Sequence, residues 1–170
     1  MKISWSIFPK FYKDLSLPNL AKLVREAGLD TLNAVIRDGF WIRPDSLSAD
    51  LTLFTKTMKD EGLPVHFATT SFMPCDLCSA PAILDALAEH GIHDLRMGYY
   101  RWDGKTQPAE AIDSARADLE TLVPLLAQRG LRAIYQVHHG TLITSAWAAW
   151  HLAGDLPPQQ IGIMLDPGNQ

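Results

Sequence analysis

Short β-rich runs and amphipathic stretches take turns along this chain, and glycines or turns punctuate the exchange. KISWSIF (2–8) is the first run. Ser16-Leu17-Pro18 then opens a helix, because serine caps a helix and proline suits its first turn. Leu20, Leu23 and Val24 recur at i, i+3 and i+4, the spacing of one helical face. Gly28 stops that helix and TLNAVI (31–36) follows. A helix over about 46–60, with Leu51, Phe54 and Met58 in register, ends at Gly62 and leads to PVHFATT (64–70). A helix over 79–89 and Gly91 precede DLRMGYY (94–100). A long helix over about 108–129 and Gly130 precede RAIYQVH (132–138). An Ala- and Trp-rich helix near 145–153 precedes IGIML (161–165).

Strict β/α alternation implies parallel strands joined by right-handed helical crossovers. An open doubly wound sheet and a closed (β/α)₈ barrel both satisfy it. The doubly wound sheet lacks its best marker, since SIFPKFYKD rather than a glycine-rich phosphate loop follows the first strand. The expected fold is therefore α/β of the TIM-barrel type. Six of the eight units of such a barrel are present, and residues 1–170 are expected to form one incomplete barrel domain. Ending at Gln170 would leave the first and sixth strands as edges, with 161–165 partly exposed. A fragment of a longer protein, or completion by another copy in a homo-oligomer, is the expectation.

Composition narrows the function classes. Apolar residues make up 47% and the net charge is −4, with Lys and Arg scattered, which argues against a nucleic-acid footprint. No segment reaches the ~18 consecutive apolar residues that read as a membrane span. Pro9, Lys10 and Lys13 interrupt the N-terminal apolar run too early for a signal peptide. A cytoplasmic protein is expected. Cys75 and Cys78 form a CxxC pair with no second Cys/His pair to complete a zinc site, and they are read as loop thiols rather than as a redox motif.

GLDTLNAVI, GLPVHF, RMGYYRWDG, LRAIYQVHHGT and IGIMLDPGNQ occur in this order along the chain. In this they resemble the sugar phosphate isomerase/epimerase family, within the xylose isomerase-like TIM barrel superfamily that also holds endonuclease IV. The LDPGN segment is the most specific piece. The resemblance implies a divalent metal (Mn, Mg, Co or Zn) held at the C-terminal ends of the last four strands. It places Asp166 as the sixth-strand ligand. The fifth strand often ends Glu-Asn-His in the family, so His138 matches and Gln136 departs, an amide where an acid is usual. Asn33 likewise stands where many relatives carry a second-strand Glu. The seventh- and eighth-strand ligands have no counterpart.

The residues themselves support one shared face. Side chains alternate along a strand, so Gln136 and His138 point the same way as Ile134, and Asp166 the same way as Met164 and Gly162. Both strands then place polar tips inward at the C-terminal rim, where barrel loops build active sites. By the same alternation His139 points away. Asp166 before Pro-Gly also reads as a turn former, and a histidine at a strand end also reads as a backbone-bonded residue. Gln136 offers a carbonyl oxygen but neither charge nor basicity, and hard divalent ions prefer carboxylates.

The expected function is a metal-assisted isomerase or epimerase acting on a sugar, sugar phosphate or related polyol by proton transfer next to a carbonyl. Asp166 and Gln136 are the metal candidates and His138 the acid/base candidate. His66, Trp102 and Asn169 are the substrate-contact candidates, His66 as a wall residue and Trp102 as a flat face for a sugar ring. The alternative is a non-catalytic carbohydrate-binding barrel, favoured by the amide at 136. An endonuclease IV-like enzyme is disfavoured by Asn33, Tyr99 and the acidic balance.

Overall fold

The structure, a computed structural model, describes residues 3–74 and 80–169. Cys75 and Cys78 lie outside the described residues. The strands are β1 (Ser6–Ile7), β2 (Thr31–Leu32), β3 (Ala34–Val35), β4 (Phe67–Thr69), β5 (Asp94–Arg96), β6 (Arg132–Gln136) and β7 (Ile161–Met164). The helices are α1 (Leu17–Glu26), α2 (Leu47–Asp60), α3 (Ala80–Glu89), α4 (Pro108–Ala127) and α5 (Ala146–Ala153). All pairings are parallel, β1 with β2 and then β3-β4-β5-β6-β7 in sequence order.

The run 31–36 is divided between two partners. Its first half pairs with β1 and its second half with β4, and Asn33 stands at the handover. The Asn33 N–H donates to the Ile7 carbonyl at 2.9 Å, and the Ile36 N–H donates to the Thr69 carbonyl at 2.9 Å. One strand thus links both ladders, as a curling sheet requires.

Register sorts the side chains into two sets. Ala34, Ala68, Leu95, Ala133 and Ile161 share the outer face. All five are buried in one core with Leu20 and Val24 of α1, Leu51, Phe54 and Met58 of α2, Leu84 of α3 and Leu119 of α4. Consecutive helices α1 and α2, α2 and α3, and α4 and α5 touch one another. The other set, Ser6, Thr31, Asn33, Phe67, Asp94 and Met164, lines a cleft of about 520 Å³. Helices on one face and a polar-lined cleft on the other distinguish this sheet from a doubly wound one, which carries helices on both.

Ser16 precedes α1 with Pro18 in its first turn but its hydroxyl makes no capping bond, whereas the Ser145 hydroxyl accepts the Ala148 N–H at the start of α5. Gly28, Gly62, Gly91 and Gly130 take positive φ after α1 to α4, the left-handed turn that lets each helix stop and the chain re-enter the sheet. Ile161 of β7 is buried whereas Leu165, just past the strand's end, is 59% exposed. No helix among the described residues is long and apolar enough to cross a membrane.

Candidate functional site

Neighbouring parallel strands bring like-numbered layers together, so the ends of β6 and β7 meet. Gln136 pairs with Met164 in the ladder, and Asp166 lies two residues further along the same inward face. The Gln136 amide Nε2 donates to Asp166 Oδ2 at 2.6 Å. Its carbonyl Oε1 accepts the Tyr99 hydroxyl at 2.6 Å. Asp166 Oδ2 also accepts the Asn169 side-chain amide, while its Oδ1 accepts the Gly168 N–H at 3.0 Å. Asp166 therefore serves both readings of its position: one oxygen forms the Asp-Pro-Gly turn and the other faces Gln136.

His138 closes the cluster on the Tyr99 side, its ring 5.0 Å from the tyrosine ring. Its Nδ1 donates to the His139 carbonyl at 2.7 Å, so the proton of the neutral ring resides there and Nε2 keeps its lone pair. His139 does not point away as strand alternation predicts. Its ring stacks 4.6 Å from that of His138. Strand geometry stops at Gln136: the His138 N–H donates to the Ile143 carbonyl, and the Thr141 hydroxyl donates to the His138 carbonyl at 2.7 Å. That turn folds the two rings together.

Tyr99 reaches this cluster through a slip that periodicity does not foresee. Alternation from inward-facing Arg96 would turn Tyr100 inward and Tyr99 outward. Instead the Tyr100 ring stacks on the core residue Tyr135 at 5.8 Å, and the Tyr135 hydroxyl accepts the Tyr100 N–H. The shift occurs at Gly98, where an added Cβ would lie 2.8 Å from both the Met73 sulfur and the Ser71 carbonyl oxygen. Only glycine allows that approach.

Beneath Tyr99 lies Arg96, which pairs with Thr69 and Ile134 in the ladders and is 6% exposed. Its Nη2 donates to the Thr70 carbonyl at 3.1 Å, and its guanidinium sits 4.9 Å from the Tyr99 ring centre. Burial pushes its pKa down, and the positive charge of Arg37 adds to that shift. At the opposite end of the sheet, Arg132 holds Asp94 through two bonds of 2.8 and 2.9 Å. That carboxylate raises the Arg132 pKa.

The remaining candidates are dispersed. Asn169 joins the cluster through Asp166, and its carbonyl accepts the His139 N–H at 2.9 Å. Trp102 is 50% exposed in the loop after β5, its indole N–H donating to the Thr106 carbonyl. It lines an outer groove with Tyr100, Asp103 and Leu142 rather than the Gln136 cluster. His66 precedes β4, at the N-terminal end of the sheet, and lines the inner cleft with Asn33 and Met164. Asn33 lines the cleft and accepts the Ser6 hydroxyl at 3.0 Å.

The donor set does not suit a divalent metal. Among the described residues no group of three or more His, Cys, Asp or Glu side chains could hold an ion. Asp166 supplies one carboxylate whose oxygens already accept three donors, and Gln136 turns its N–H rather than its carbonyl toward it. A hard cation needs about six oxygen donors, several of them charged. These residues alone do not make such a centre.

No family model and no curated protein matches the chain. Solved structures do. The D-psicose 3-epimerase of Clostridium cellulolyticum H10, solved with D-tagatose, superposes with a TM-score of 0.72 at 12% identity, over 96% of this chain and 63% of that one. The 3-keto-D-glucoside 4-epimerase of E. coli gives 0.67 at 19% identity, over 98% and 68%. The D-allulose 3-epimerase of a Methylomonas species, solved with D-allulose, gives 0.68 at 16%, over 95% and 59%. The chain spans about 63% of the length of the D-psicose 3-epimerases it matches. Over the part of the barrel it spans, its fold is that of these solved structures, a parallel β/α barrel.

Proposed function

We propose that this chain carries the β5–β7 side of the active site of a sugar isomerase or epimerase that moves a proton next to a carbonyl. The observation that carries the reading is the cluster Tyr99–Gln136–Asp166 with His138, at the C-terminal strand ends, in a fold shared with epimerases of D-psicose, D-allulose and a 3-keto-glucoside. Barrels place their chemistry at that rim.

His138 Nε2 is the base in this reading, since Nδ1 is held by a carbonyl and the free nitrogen can accept a carbon-bound proton and return it. The Tyr99 ring orients the imidazole, and Asn169, bonded to Asp166, is the substrate contact. In the metal-assisted form Asp166 is the charged ligand and Gln136 a weak neutral one, and the centre needs oxygen donors beyond this pair. Nothing in the proton transfer by His138 depends on it.

The test is solvent deuterium incorporation into D-fructose, D-tagatose and D-allulose, read by mass spectrometry, with native protein and His138→Ala. Exchange in the native protein that the variant lacks is the expected result. Binding of a ketose without any exchange would overturn it. That outcome would favour a second reading, a carbohydrate-binding barrel without turnover, which the mutual engagement of Gln136 and Asp166 supports.

A further inference from the structure

The helical layer carries an apolar face that the core does not use. Helix α5 turns Ala148, Ala149 and Leu152 inward, and the 3.6-residue period leaves Trp147 and Trp150 on its other side, 66% and 65% exposed. The Trp147 and Trp150 rings lie 4.0 and 5.3 Å from the His151 ring, so the three form one continuous row. Beside that row α5 touches α4, and a groove of about 300 Å³ runs between the two helices. Pro108, Ala109, Ile112 and Asp113 form its α4 wall, and Trp147 and His151 its α5 wall. Contiguous apolar surface of this kind marks a contact face rather than a surface meant for water.

The groove and the indole beside it are complementary. Trp150 is an exposed knob next to an apolar hole with room for one aromatic ring, and both belong to the same chain. Two copies related by a two-fold axis seat each Trp150 in the other's groove, the isologous arrangement in which residue i meets j and j meets i. Charge obeys the same rule. Asp113 and His151 stand on opposite walls, and the ion pairs of this region, from Arg116 to Glu120 and Asp155, use neither of them. The two-fold sets Asp113 of one copy against His151 of the other. We propose that the α4–α5 face is a self-association surface on which a second copy of this chain docks through Trp147, Trp150, Asp113 and His151. Aromatic side chains bury roughly 150–250 Å² each, so two tryptophans and the α4 wall reach the lower end of the ~800 Å² per partner of a standard interface. The dimer is therefore a weak one, forming at micromolar concentrations. It is independent of the isomerase reading, because this face lies on the outer helices and the Gln136 cluster at the inward strand ends.

The test is sedimentation velocity of the full chain from about 1 to 200 µM, the range that spans weak interfaces. Native protein is expected to pass from monomer to dimer across it. Trp147→Ala and Trp150→Ala should each raise the dimer dissociation constant about ten- to a hundredfold, the effect of losing a central aromatic anchor. Both side chains are exposed, so the unfolding midpoint of either variant at low concentration should stay near the native one. Trp5→Ala, which removes an equally exposed indole outside this face, should leave the dissociation constant unchanged. The two-fold makes a sharper demand. Asp113→Lys and His151→Glu should each associate more weakly alone, because each sets like charges together, whereas their equimolar mixture should recover the dimer, because the mixed pair has opposite charges at both contacts. A native chain that stays monomeric throughout the range would overturn the proposal. So would association that survives both tryptophan variants, which would assign dimerisation to another surface, or a mixture no more dimeric than its components.

Discussion

Gln136 donates its amide N–H to Asp166 across 2.6 Å, so β6 and β7 are tied at their C-terminal ends by a neutral group facing a charged one. A glutamate there would set two carboxylates in contact. Gln136→Glu is expected to lower the unfolding midpoint by about 2–6 °C without metal, a cost of ~1–2 kcal/mol in a chain of this length. Mn²⁺ at millimolar concentration should reverse that loss in the variant more strongly than in native protein, because a second carboxylate is what a hard cation lacks here. Calorimetric scans of both proteins, with and without Mn²⁺, measure this. Equal metal responses would exclude position 136 from any ligand set.

Asp166 accepts three hydrogen bonds, from Gln136, Gly168 and Asn169. Asp166→Ala should cost ~1–3 kcal/mol, because the turn after β7 and the Gln136 amide lose their acceptor together. Denaturant titration gives the number. The same variant should also abolish any rise in midpoint that native protein gains from Mn²⁺.

Gly98 lets the chain slip out of alternation. Gly98→Ala drives a methyl group against the Met73 sulfur and the Ser71 carbonyl, each 2.8 Å from the added atom. A loss of ~1–3 kcal/mol is expected, by overpacking. Proton exchange catalysed by the site should fall as well, since Tyr99 would be displaced from Gln136 and His138. A variant as stable as native protein would remove the steric argument.

Acid should loosen two loops selectively. Hydrogen bonds from the Ser46 hydroxyl and from Arg43 hold the Asp50 carboxyl below its ordinary pKa. The N–H groups of Lys105 and Thr106 do the same for Asp103. A carboxyl whose folded pKa is depressed contributes stability that is complete above its unfolded value, near 3.9, and is lost as pH falls through the folded value. Stability should therefore decline below pH ~4, and Asp50→Asn should decline less steeply than native protein. Unfolding midpoints from pH 2 to 6 report the two slopes, and parallel slopes would contradict the assignment to Asp50.

Local chemistry wrote much of the fold in advance. Pro18 and the glycines after each helix act within a few residues of themselves, so their effects are legible from the sequence, and the glycine turns recur after α1 to α4. The parallel sheet followed from alternation alone. The division of 31–36 at Asn33 did not, because it depends on which ladder each half joins, and that is decided by strands distant in sequence.

For the site, the limits are equally physical. Alternation within one strand placed Gln136 on the inner face, and the matching parity of Asp166 on β7 placed it beside Gln136 once the strands paired in register. Alternation failed wherever strand geometry ended. His139 folds back onto His138 because a turn begins there, and Tyr99 rather than Tyr100 faces inward because Gly98 shifts the phase. His66 lies before β4, at the end of the strand opposite to the one that carries the Gln136 cluster. The buried, unpartnered Nη1 of Arg96 is invisible to composition, since an arginine reads the same with or without a carboxylate beside it. What the sequence determined by itself was the order of elements and the sidedness of regular strands, which are properties of neighbouring residues. The tertiary structure alone decided which side chains meet across strands, because that depends on register and on where each strand ends.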